Sequence, residues 1–357
     1  MNQLLESPLD VWVPENFILE GARPHPILMH LSAPDTDSQL MFWNLLRDKL
    51  NNSVRVHKFK HLTEAGRVVV IPNPIQDYIY VGRFDEVLKL KNRVLASGRV
   101  PILTTGLEYF PRPGEVVFML STYRSTMSES TIPTPSWLYD FGSEVTPIPK
   151  PVEPTVGFVG AARYPGRLNA LLSPVPIPGF ITNSIMCNQH VNCAMYLGLR
   201  QVFARRLRER VLNEASSSPE LKTSFITRKT AHFTQTAEEG KRAKEEYIQN
   251  IQNNAYTVCI RGTENYSYRL YETMSAGRIP IIIDTNVQLP SLNNFGDWRE
   301  FSVLVPLAES HKIGSIVRKF HDSLSDEAFQ QACAKSRAAF EYLAPHNFIL
   351  RALQDRL

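Results

Sequence analysis

At 357 residues, with 43% hydrophobic and 21% charged residues, the chain has the composition of a soluble globular protein and exceeds the size of one usual core. A formal net charge of +4 is too small to argue for a nucleic-acid partner, and it suits an enzyme that handles anionic small molecules. No apolar run approaches the roughly 20 residues needed to cross a bilayer, and residues 1–20 mix acids and prolines without the apolar stretch of a signal peptide. The expectation is a cytoplasmic protein, soluble or peripherally membrane-associated, with no transmembrane segment.

Along the chain, residues 26–31 read as a strand and 38–50 as a helix, with apolar positions at Leu40, Trp43, Leu46 and Leu50. Strands at 54–59, 68–71, 100–104 and 116–120 flank an amphipathic helix at 84–96. Strands separated by helices imply a mainly parallel sheet. The proline-rich run 146–154 is a stiff candidate linker. The alternation then restarts, with a strand at 155–159, a basic helix at 197–212, a short strand at 225–227 and a helix at 238–252. Beyond 284 come a strand at 301–305 and helices at 313–323 and 326–343. We therefore expect an α/β fold of two Rossmann-like domains facing each other across a cleft, at 1–150 and 151–330. Residues 331–357 form a helical segment returning to the first domain. Ligands of such sheets bind beyond the carboxyl ends of the strands.

Cys187 and Cys193 flank His190, but the spacing is not that of a zinc site and no second ligand pair exists, so no metal is expected. The five arginines Arg200, Arg205, Arg206, Arg208 and Arg210 read as a solvated helix face.

Residues 256–284 hold the densest chemistry: a buried strand, an Arg261-Gly262 loop, a short helix from Ser267, a stop at Gly277 and a second buried strand. Ser267 has the position of an N-cap, and Gly277 with Pro280 ends the helix after about three turns. Leu270 and Met274 share the face turned to the sheet, and Arg269 and Glu272 share another. Such a unit offers an anion backbone N–H groups, a helix N-terminus and guanidinium donors together. In this reading Arg261 and Arg269 take the negative charge of a diphosphate and Glu272 accepts from sugar hydroxyls. Of Tyr266, Tyr268 and Tyr271, which could stack on a ring, at least one belongs to the core.

This segment resembles the exostosin-like glycosyltransferases of family 47. The resemblance is carried by Arg261-Gly262, by Ser267-Tyr-Arg-Leu-Tyr-Glu272 and by Gly277-Arg-Ile-Pro-Ile-Ile-Ile283, and it continues through Leu289-Pro290 and Asp297-Trp298. Looser similarity covers Phe158-Val-Gly160 with Arg167, as well as Asp140 and Arg337. It implies a GT-B fold and an inverting, metal-independent enzyme using a nucleotide-sugar donor, commonly a UDP-sugar, and a glycan acceptor. The donor half would use Gly160, Arg167, Arg261, Gly262, Ser267, Arg269 and Glu272. Inversion needs a general base beyond the amino-terminal strands. His30, Asp35, Asp77 and Glu108 are the candidates, and Asp77 and Glu108 are preferred. Two alternatives remain: a retaining transferase using the Glu264 and Glu272 pair, and a catalytically silent carbohydrate-binding scaffold subunit.

Overall fold

The computed structural model of the protein describes residues 8–34, 36, 40–162, 197–228 and 237–357. They form two compact units, one of Met1–Pro135, Gln288–Ser291 and Leu343–Leu357, the other of Ser136–Val287 and Leu292–Tyr342.

The first unit is built from β1 (Leu9–Pro14), α1 (Met41–Ser53), β2 (Val54–Phe59), β3 (Val68–Val70), α2 (Ile75–Tyr80), α3 (Phe84–Ala96), β4 (Val100–Thr105), β5 (Val116–Met119) and β6 (Thr131–Pro133). Its six strands pair in parallel in the order β2-β1-β3-β4-β5-β6. The unbroken valine run of β3 is buried throughout, as a strand covered on both faces must be. Val87, Leu90 and Val94 turn one face of α3 into the core, and the helical period places them there.

Two expectations fail in this unit. Residues 26–31 form a 3₁₀ helix and not a strand: Pro26 starts it, and His25 Nδ1 accepts from the Ile27 N–H at 3.2 Å, a local bond that competes with strand pairing. The first strand is instead β1, in a stretch read as acids and prolines. Its Val11 and Val13 are buried, and it lies inside the sheet between β2 and β3.

The second unit contains β7 (Thr155–Ala161), α4 (Leu197–Ser216), β8 (Lys222–Arg228), α5 (Ala237–Asn253), β9 (Tyr256–Cys259), α6 (Tyr268–Ser275), β10 (Ile279–Asp284), β11 (Val303–Pro306), α7 (Ile313–Asp322) and most of α8 (Asp326–Leu343). α9 (Pro345–Gln354) belongs to the first unit, where Lys49 Nζ donates to Asn347 Oδ1 at 2.9 Å. The sheet order β11-β10-β9-β7-β8 is again all parallel, and its direction reverses between β7 and β9. In such folds ligands bind at that switch point.

The core of the second unit sets Ile279, Ile281 and Ile283 of β10 against Val156 and Phe158 of β7 and Leu207 and Val211 of α4. Each contributes about 1.5–3 kcal/mol by leaving water. The fully buried Arg278 donates to Thr146 O at 2.7 Å and to Gln252 O at 3.1 Å, fastening the proline-rich segment to the end of α5. Among the described residues no helix is long and apolar enough to cross a membrane.

Candidate functional site

The segment from β9 to β10 folds as its sequence indicates, with one change of scale: α6 covers eight residues, about two turns rather than three. Ser267 has extended backbone angles at the N-cap, but its hydroxyl makes no capping bond; the Ser267 carbonyl accepts from the Leu270 N–H at 3.3 Å and from the Ser136 hydroxyl at 3.1 Å. At the other end Gly277 adopts φ +62°, its N–H reaches Met274 O at 2.9 Å, and the Arg278 N–H reaches Thr273 O at 3.0 Å. That pair of bonds is a Schellman motif. Leu270 and Met274 are buried as expected, and so is Tyr271, which makes it the core member of the three tyrosines. Tyr266 and Tyr268 meet edge to face at 5.3 Å.

The two arginines play different parts. Arg261 is buried, and its guanidinium turns back on its own loop, donating to Gly262 O at 3.2 Å and to Thr263 O at 2.6 Å. The loop amides are likewise engaged internally: the Gly262 N–H bonds Tyr266 O and the Tyr266 N–H bonds Glu264 O. Arg269 lies over the Phe158 ring at 4.2 Å and donates from Nη2 to Val159 O, while its buried Nε has no hydrogen-bond partner among the described residues. Gly160 is required by that placement, since a Cβ there would sit 2.5 Å from Arg269 Nη2.

Glu272 is also buried. The Tyr247 hydroxyl of α5 donates to its Oε2 at 2.5 Å, and no ion pair joins it to Arg269. Burial raises the Glu272 pKa above the ordinary carboxylate value, against the opposing pull of the Tyr247 hydrogen bond and the Arg269 charge. The same burial, with the Glu272 charge, drives the Tyr247 phenol well above its usual range.

Arg208 corrects the reading of α4 as a solvated face. Its Nε donates to Arg261 O at 2.9 Å and its Nη1 to Ala161 O at 2.9 Å. It therefore spans the carboxyl ends of β9 and β7. Burial, then the charges of Arg269, Arg205 and Arg261, pull its pKa down to about 9. The signal was present in the heptad spacing: Ala204, Leu207, Val211 and Leu212 are buried, and Arg208 lies four residues after the first and four before the last. Tyr247 was missed in the same way, four residues before the buried Ile251.

In the first unit, Asp77 lies in the first turn of α2 and not in a loop, and burial raises its pKa. Glu108 follows β4 and accepts from the Tyr123 hydroxyl at 3.1 Å. The Gly106 N–H donates to Gln76 Oε1 at 3.1 Å, which ties the segments bearing the two carboxylates together. His30 falls in the 3₁₀ helix, where burial lowers its pKa. Asp140 and Arg337, noted separately in the sequence, form an ion pair, and Arg337 Nη1 also donates to Ser275 O at 2.6 Å. Asp35, Arg167, Cys187, His190 and Cys193 lie outside the described residues. Among the described residues no group of three or more His, Cys, Asp or Glu side chains is arranged to hold a metal ion.

Two parallel α/β units, one with three guanidiniums gathered at its switch point, have the make-up of a GT-B protein. Residues 200–320 match the family described as the Exostosin GT47 domain, a glycosyltransferase domain. The match takes in Arg208, Tyr247, Arg261, Arg269 and Glu272. No curated protein matches the chain. Among solved structures it is similar to a glycosyltransferase from Rickettsia africae ESF-5, at 10% identity and TM-score 0.39, covering 98% of each chain. It is similar to a sucrose-phosphate synthase from Thermosynechococcus elongatus, at 12% identity and TM-score 0.37, covering 97% of each chain. It is also similar to TarM, at 10% identity and TM-score 0.33, over 72% of this chain and 50% of that one. These likenesses are remote, and the family match is confined to residues 200–320.

Proposed function

We propose that the protein is an inverting glycosyltransferase that moves a sugar from a nucleotide-sugar donor, a UDP-sugar, to a hydroxyl of a glycan or polysaccharide acceptor without a bound metal. The observation that carries this reading is the meeting of Arg261 and Arg269 at the switch point with the buried Glu272 close enough to feel the Arg269 charge. Positive charge there suits a diphosphate leaving group. Arg269, stacked on Phe158 with a buried Nε still to be satisfied, is the group best prepared to donate to it. Glu272, with Oε2 held by Tyr247, would accept from a donor hydroxyl through Oε1.

In the proposed step the acceptor oxygen bonds to the anomeric carbon as the bond from that carbon to the diphosphate oxygen breaks. The diphosphate leaves with the electron pair, and the acceptor proton passes to a base. Asp77 fits the base better than Glu108: burial has raised its affinity for a proton, whereas Glu108 is already engaged by Tyr123.

Calorimetric titration with UDP tests the donor site. Arg269→Ala and Glu272→Ala should each weaken binding by roughly tenfold or more while the far-ultraviolet dichroism stays unchanged. Wild-type affinity in both folded variants would remove the assignment. Activity that survives exhaustive chelation, and a product of inverted anomeric configuration by NMR, are expected. A retained configuration would point instead to the Glu264 and Glu272 pair.

A further inference from the structure

The two central strands of the second unit part early. β7 pairs with β8 along its whole length, from Thr155↔Lys222 to Ala161↔Arg228, yet it pairs with β9 only at Val156↔Tyr256 and Gly157↔Thr257. Beyond that point guanidiniums supply the donors a neighbouring strand would have given. Arg269 bonds Val159 O, and Arg208 bonds both Ala161 O and Arg261 O. Val159 and Ala161 are two residues apart, so their carbonyls point to one side of the strand.

Among the described residues those bonds leave Arg208 Nη2 without a hydrogen-bond partner. That nitrogen would lie 3.3 Å from a Cβ on Gly262, so it hangs over the second residue of the 261–266 loop. Among the described residues no carboxylate pairs with Arg208, and the charges it feels are those of Arg269, Arg205 and Arg261. Like charges gathered at a strand end raise the free energy of the empty site and are relieved by an anion.

We propose that Arg208, contributed by α4 and outside the 256–284 segment, is an anion-binding residue of this site. It donates through Nη2 to the terminal phosphate of the departing diphosphate while its other N–H groups hold the two strand ends at the correct separation. The proposal deepens the donor-site reading above and rests on it for the identity of the ligand.

Inorganic pyrophosphate and UDP, titrated into the full chain by calorimetry, separate the two. Arg208→Met should lower affinity for both by roughly tenfold or more, and Arg208→Lys, which keeps the charge but loses the planar fork, should fall between it and wild type. Arg206→Ala on the same helix should change neither by more than about twofold. Thermal unfolding of the ligand-free variants controls for folding: if Arg208→Met is unfolded, the Arg208→Lys titration decides. Wild-type pyrophosphate affinity in a folded Arg208 variant, an equal loss in Arg206→Ala, or no pyrophosphate binding by the wild type would each overturn the proposal. Pyrophosphate binding that depends on Arg208, with no added affinity for UDP, would uphold Arg208 and overturn the nucleotide-sugar reading.

Discussion

Glu272 shows how a single residue can carry the tension between stability and use. A carboxylate removed from water with one hydrogen bond and a nearby charge still prefers its proton more than an exposed glutamate does, and burial is the dominant cause. A group whose folded pKa is raised contributes stability that is fully present below the unfolded value and is lost as pH rises through the folded one. Stability is therefore expected to fall as pH rises above the ordinary carboxylate range and this buried side chain ionises. Glu272→Gln removes the charge and keeps an oxygen for the Tyr247 hydroxyl. We expect the variant to unfold at a temperature equal to or above wild type at pH 8, with the difference shrinking as pH falls toward 4.5, the ordinary glutamate value. UDP affinity should drop at every pH. Thermal unfolding at pH 8 and pH 5 checks it, and a gap that widens on acidification would contradict the burial account. Tyr247→Phe tests the partner: it leaves Oε2 unpaired and should cost about 1–3 kcal/mol in urea unfolding.

At the scale of elements, the end of β7 and the two ends of α6 convert backbone geometry into a site. Gly160 is the clearest case. A methyl group there would come within 2.5 Å of Arg269 Nη2, the far end of a flexible side chain, so the guanidinium can swing away and the fold survives. Gly160→Ala should therefore keep its unfolding temperature within a few degrees of wild type and lose most UDP affinity; intact affinity would show that Arg269 need not lie where it does. Gly277 behaves oppositely. Its φ of +62° disfavours any side chain, while the nearest atom to an added Cβ is 3.7 Å away, so Gly277→Ala should cost about 1–2 kcal/mol through the backbone alone and leave ligand binding unchanged. These elements also mark what could be read in advance. The strand, loop, helix and glycine stop of 256–284 were legible because turn chemistry and apolar period agree there. The strand β1 was not, because Asp10 and Pro14 interrupt the apolar pattern of a run whose Val11 and Val13 are buried. Arg208 stayed hidden for a different reason. A guanidinium on a basic helix reads as solvated unless its position relative to Leu207 and Val211 is weighed against its charge, and only the parting of β7 from β9 supplies carbonyls to receive it.

At the scale of the molecule, each unit has its own hydrophobic core: Val69, Ile71, Leu103 and Val117 centre one, and Val156, Val258, Ile281 and Val305 the other. Separate cores in one chain are a setting in which unfolding need not follow a single two-state transition. All three clustered arginines belong to the second unit, so an anion that binds them should stabilise that unit by mass action. At a hundred times its dissociation constant the gain is about 2.7 kcal/mol. For a unit of this size each kcal/mol moves the midpoint by about 2–4 °C, so the expected rise is roughly 5–11 °C. Differential scanning calorimetry with and without pyrophosphate should thus resolve two components, of which only one moves. Added sodium chloride at matched ionic strength should move it much less, since screening eases the repulsion among guanidiniums without satisfying their N–H groups. Arg269→Ala, weakening binding roughly tenfold or more, should cut the shift by about half or more. Two components rising together would place the anion's effect beyond the second unit, and a shift reproduced by salt alone would reduce the cluster to nonspecific charge. A shift confined to one component and dependent on Arg269 ties the chemistry of the strand ends to the stability of the unit that holds them.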